Sequence, residues 1–178
     1  TAVITVCLED TAVVRSIAEG NVKDVHTALK TRFVFQILMR VAGRFLKDLR
    51  LIERDFTRIE RRLYDSLKNE ELIQLLGLSK SLVYFSASLK GNEVTMEKVL
   101  RGRILKLYED DRDLLEDALI EIRQAIEMAG IYSNILSGTM DAYASVVSNN
   151  LNIIMKVLTV ITIIMAIPFN ASIYPILP

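Results

Sequence analysis

The sequence predicts a mainly α fold: a long helical hairpin, then a very long stalk helix continuing into a transmembrane helix, with one strand at the N-terminus. Three observations lead there. Apolar residues recur at spacings of three and four from about Lys30, and again from about Glu109 to Ile167. No proline interrupts the second run before Pro168. That run ends in residues 157–169, which carry no charge.

Composition removes several function classes. At 178 residues, with 51% hydrophobic and 25% charged residues, the chain is neither disordered nor a polar repeat. Its 22 basic and 22 acidic residues cancel, so no global field recruits nucleic acid. Cys7 and His26 are the single cysteine and histidine. They exclude a disulfide framework, a Cys/His zinc site and a Cys-His catalytic pair within one chain. Cys7 reads as a small core residue in a strand, and His26 as a surface residue near a helix start. A di-iron bundle would need Glu-x-x-His pairs, and Lys23 stands three residues before His26. A phosphate-binding glycine loop is absent too, so nothing points to an enzyme.

Taken in order, "AVITVCL" at 2–8 is β-branched and bounded by Glu9 and Asp10, the signature of a buried strand. One strand makes no sheet, and Thr1 begins no signal peptide, so the chain reads as a fragment. From about Lys30, the stripe Val34, Leu38, Val41, Phe45, Leu49, Ile52, Phe56, Ile59, Leu63 and Leu67 predicts a long helix. Its opposite face mixes Arg40, Arg44, Lys47, Arg50, Arg54, Arg58, Arg61 and Arg62 with Asp48, Glu53, Asp55 and Glu60. Interleaved acids favour a solvated face over a nucleic-acid surface. After a break at Lys68 and Asn69, a second helix spans 71–89 and ends at Gly91 and Asn92. A third, from about Glu109 to Ile167, would be about 90 Å long.

Thirteen uncharged residues make about 20 Å of helix, short of a hydrocarbon core of about 30 Å. Extending back to Leu151 gives a full span, because Lys156 can snorkel near the helix end. Polar residues in such a span point to a cavity or a helix contact. Asn152, Met155, Leu158, Thr162 and Ala166 share one face at spacings of three and four. A ring of such helices would present an amide ring, two apolar collars and a hydroxyl ring, which suits a hydrated hard cation and a dewetting gate. Two readings stay open: this pore face, or threonines bonded back to their own helix with Asn152 as an interfacial cap.

"EDDRDLLEDALIE" at 109–121 concentrates seven acids. A helix N-terminus accounts for Asp110, Asp111 and Asp113. Glu116, Asp117 and Glu121 lie beyond the first turn. They read either as a solvated face or as carboxylates brought together between chains and neutralised by a divalent cation.

The strand "ITV" at 4–6, the hairpin, and "DAYASVVSNNLNIIMKVLTVITII" at 141–164 together resemble the CorA-type divalent-cation transporter family; the N-x-x-M-K-V-L-T pattern at Asn152 to Thr159 is the most specific part. The resemblance implies a Mg2+ channel subunit, with Co2+ as a second cargo, acting as a homopentamer in the cell membrane with residues 1–150 cytoplasmic. It implies segments at 1–26 (end of an α/β cytoplasmic domain), 27–108 (hairpin and connector), 109–150 (stalk), 151–169 (first membrane helix) and 170–178 (divergent or truncated tail). Asn152 would ring the cytoplasmic entrance, Met155 and Leu158 would gate, and Thr162 and Ala166 would line the pore beyond. Asp117 would bind regulatory Mg2+ between subunits, with Asp113, Glu116 and Glu121 as further ligands, and Asp141 would sit near the pore mouth. The family's Gly-Met-Asn signature and second membrane helix are not found in "IPFNASIYPILP" at 167–178, so selective conduction belongs to the intact protein. Zinc transport on the same scaffold and a membrane-tethered coiled-coil scaffold are the alternatives.

Overall fold

The computed structural model describes residues 3–22, 25, 27–66, 69–102 and 107–173, with side chains for all of these except 64–66 and 167–173. His26, Lys68 and the tail from 174 lie outside the described residues. Four helices are found among them: α1 (Ala12–Ala18), α2 (Lys30–Ser66), α3 (Asn69–Leu100) and α4 (Glu109–Ile173). The chain divides into two compact units, Thr1–Leu136 and Ser137–Pro178.

In the first unit, α2, α3 and the early part of α4 form a bundle whose core is written in sevens. Phe35, Ala42, Leu49 and Leu63 are buried on α2, and Leu75, Leu82, Leu89 and Met96 on α3. On α4 the row is Leu115, Ile122, Ala129 and Leu136, flanked by Ala118, Leu119 and Ala125. A seven-residue repeat keeps one seam facing its partners, as in coiled coils. Cross-helix contacts give the directions. Arg32 on α2 meets Asp110 on α4, and Glu53 on α2 accepts from the Tyr132 hydroxyl at 2.8 Å. α2 and α4 are therefore parallel. α3 runs against both: Arg123 donates to Glu93 at 2.9 Å and to Glu97 at 2.6 Å, and Phe45 packs edge-to-face on Phe85. The two carboxylates raise the pKa of Arg123 by hydrogen bonding, Glu93 first.

Three expectations change. The N-terminal strand is not formed among the described residues: 3–8 carry no regular structure, and Ile4, Val6 and Leu8 are 84%, 90% and 106% exposed. A strand exists only as a member of a ladder, and among the described residues no second extended segment pairs with it. Cys7 is accordingly exposed and not a core residue. It lies along an apolar groove with Val6, Val14, Val41 and Phe45, where this segment rests near α1 and α2.

α1 is the second surprise. Thr11 caps it by accepting from the Val14 N–H. Gly20, at φ 71°, closes it: the Gly20 N–H donates to Ile17 and the Asn21 N–H to Ser16. That is the Schellman arrangement, which needs a residue free to adopt a left-handed φ. Third, α3 starts at Asn69 and does not stop at Gly91 and Asn92 but continues to Leu100. A helical glycine costs about 1 kcal/mol. Burial of Leu89 and Met96 on either side of Gly91 outweighs that cost. The real stop is Gly102 at φ 70°, whose N–H donates to Val99.

Candidate functional site

In the second unit no described side chain is buried, and each of residues 151–166 is exposed. Leu151, Ile154, Met155, Leu158, Val160 and Ile164 are all more than half exposed. An apolar helix exposed on every side among the described residues leaves a surface that calls for lipid or other helices. Among the described residues two helices are long and apolar enough to cross a membrane, α3 and α4. α3 puts its heptad row into the bundle core, whereas the apolar window of α4 is entirely unburied.

Asn152, Met155, Leu158, Thr162 and Ala166 all lie on this bare helix. At about 100° per residue, Asn152, Met155, Thr162 and Ala166 fall within an arc of about 80°. Leu158 lies on its flank, and Thr159 sits inside the arc in its place. Sequence reasoning passed over Thr159; strict alternation of four and three would have found it, giving 152, 155, 159, 162 and 166. Both threonine hydroxyls donate back to the helix, Thr159 to the Met155 carbonyl and Thr162 to the Leu158 carbonyl, each at 2.8 Å. Their protons are thus satisfied without water, and the oxygen lone pairs stay free to accept or to face a cation. The back-bonding and pore readings of these residues are compatible.

The same alternation holds along the first-unit part of α4. Asp113, Asp117, Ile120, Gln124, Glu127, Ile131 and Asn134 follow it, and every one is exposed. Gly138, Asp141, Ser145 and Ser148 continue it in the second unit and are exposed as well.

The acidic cluster does not converge within one chain. Asp113 and Asp117 point outward one turn apart, while Glu116 is held by Arg112 at 3.0 Å. Glu121 turns the other way: its Oε2 is buried without a hydrogen-bond partner, 3.4 Å from where a side chain on Gly43 of α2 would begin. Asp111 is buried in the first turn of α4, where unsatisfied N–H groups favour a carboxylate. Among the described residues no group of three metal-ligating side chains comes together. Asp113 and Asp117 are exposed carboxylates at i,i+4 on α4.

A heptad-packed bundle of two parallel helices and one antiparallel helix, whose last helix goes on into an exposed apolar run long enough to cross a membrane, has the pattern of a helical membrane protein. The family described as CorA-like Mg2+ transporter protein matches residues 1–175, and the chain belongs to that family. It is similar to the cobalt/magnesium transport protein CorA of Methanocaldococcus jannaschii, 29% identical over 160 residues, covering 85% of this chain and 50% of that protein. It is also similar to the protein of the same description from Thermotoga maritima, 37% identical over 110 residues, covering 53% of this chain and 30% of that one. The complete structure of the CorA magnesium transporter from M. jannaschii superposes with a TM-score of 0.82 at 24% identity, over 96% of this chain and 56% of that one. That likeness concerns the fold. The chain spans half or less of the length of the curated relatives it matches.

Proposed function

We propose that the chain is the stalk and first membrane helix of a divalent-cation channel subunit, most suited to Mg2+ and also to Co2+. Family membership supports this reading, and one observation carries it: a single exposed row on α4 orders an amide, a thioether, hydroxyls and a methyl along a helix that is apolar apart from Lys156 and exposed on every side. Several copies around an axis, five by the family resemblance, turn that row into a pore wall.

Asn152 offers amide oxygens to a hydrated ion at the cytoplasmic mouth, and Asp141 adds charge before it. Met155 forms the dewetting collar with Leu158 on its flank, and Thr162 and Ala166 line the passage beyond, with Thr159 beside them. Residues 1–150 are cytoplasmic and 151–169 cross the cell membrane, with 27–108 as hairpin and connector and 109–150 as stalk. Regulatory Mg2+ binds Asp117, with Asp113 beside it, and completes its oxygen shell from a neighbouring copy and water, since one chain supplies too few ligands. Glu116 and Glu121 are second choices, one already paired with Arg112 and the other turned into the bundle.

The test is Mg2+ uptake by the intact protein in liposomes, with Co2+ and Zn2+ as competitors. Uptake down an imposed gradient supports the reading. No flux of any divalent ion sinks it, and a preference for Zn2+ moves the cargo while keeping the architecture.

A further inference from the structure

α2 carries a second ordered row that neither the bundle nor the pore face uses. Arg40, Lys47, Arg54 and Arg61 recur at seven-residue intervals, about 10.5 Å apart along the helix. All four are exposed, and none has an ion pair with another described residue of the chain. Their cationic neighbours Arg44 and Arg58 are held by Asp48 and Asp55. On α4, Asp117 and Glu127 are likewise exposed and without an ion pair among the described residues.

We propose that the α2 row is an interaction surface for a second copy of the chain, with Lys47 meeting Glu127 on the α4 of the neighbouring copy and, where Mg2+ is absent, Arg40 meeting Asp117 there. The inference rests on the ring assembly put forward above. Axial register supports it. Arg32 meets Asp110 across 78 residues, Glu53 meets Tyr132 across 79, and Gly43 stands against Glu121. With that offset Arg40 is level with residue 118 or 119 of α4, and Lys47 with 125 or 126. Rotation about an axis running along the helices adds no shift along it, so these levels carry from one copy to the next. Each cation then stands within two residues of its acid, about 3 Å of rise. Arg54 is level with 132 or 133, beside Asn134, a hydrogen-bond acceptor. Discrete carboxylates suit the row better than a phosphate surface, because Asp48, Glu53 and Asp55 are interleaved with it and would repel a polyanion.

The intact protein in detergent and Mg2+-free buffer tests this by light scattering across a concentration series, with helix content by circular dichroism as the fold control. The pair R40E/K47E should raise the half-assembly concentration about tenfold, because repulsion replaces attraction at each junction. D117K/E127K should do the same, and the four substitutions together should return it to within about twofold of wild type. Unchanged assembly in R40E/K47E overturns the inference, as does a fourfold variant no better than either pair. So does an R40E/K47E defect confined to binding of vesicles rich in anionic lipid. A wild-type protein that stays monomeric refutes the ring itself, a result distinguishable from failure of this surface alone.

Discussion

Truncating Leu82 and Ile122 to alanine tests the heptad core at two sites that differ in one respect. Leu82 is 1% exposed and Ile122 0%. Leu82, however, borders a groove of about 200 Å3 lined by Ile52, Phe56, Tyr132, Ile135 and Leu136. Space left by Leu82→Ala joins that groove and fills with water, so the loss is chiefly the transfer term, about 2–3 kcal/mol. Space left by Ile122→Ala is sealed among buried neighbours, and the cavity term brings the loss to about 3–5 kcal/mol. Hydrogen exchange of core amides on α3 and α4 in the intact protein reads both. Where exchange follows opening of the bundle, Leu82→Ala should speed it about 30- to 150-fold and Ile122→Ala more. Changes under threefold in both variants, or a larger effect at Leu82, would refute the packing argument.

Further outcomes follow from single residues. Gly91→Ala should slow exchange in α3 about fivefold, since the site is mid-helix, has open space around its Cα, and regains about 1 kcal/mol of helix propensity. Burial, and then the hydrogen bond to Glu53, raise the phenol pKa of Tyr132. Stability from the neutral phenol is complete below the unfolded value of about 10 and is lost as pH rises from there through the raised folded value. Thermal melting of the wild type should therefore fall across that window, and Tyr132→Phe should lessen the fall. Met155→Ser should raise basal cation leak in liposomes, because a hydroxyl wets the collar that a thioether keeps dry; an unchanged leak removes Met155 from the gate.

Long helices were legible because their signal is long. On α4, Leu115, Leu119, Ile122, Ala129 and Leu136 recur at spacings of four, three and seven, and all are buried. On α2 the first turns of the visible stripe were offset from the core: Val34 and Val41 are half-buried, while Phe35 and Ala42, one position along from each, are the sealed residues. Three-four periodicity fixes a face only to about one residue. Helix ends were harder to read. Gly91 and Gly102 look alike in sequence; Met96 is buried in the turns beyond Gly91, whereas Gly102 takes a φ of 70°. The strand at 4–6 shows the limit of propensity, since β-branched residues need a ladder partner to become a strand. At the candidate site, the order Asn152, Met155, Thr162 was readable from spacing. The inward turn of Glu121 was not, because it depends on Gly43 of another helix.

Cysteine scanning of 151–166 in the intact, liposome-embedded protein, with Cys7 replaced by serine, tests the pore face most directly. Modification by a water-soluble thiol reagent and the resulting block of Mg2+ flux should peak at 152, 155, 159, 162 and 166. Positions 153, 157, 160 and 164, turned away from that row, should be slow to react and without effect on flux. Equal reactivity around the helix, or block confined to those outward positions, would contradict the claim that α4 lines the pore with this face.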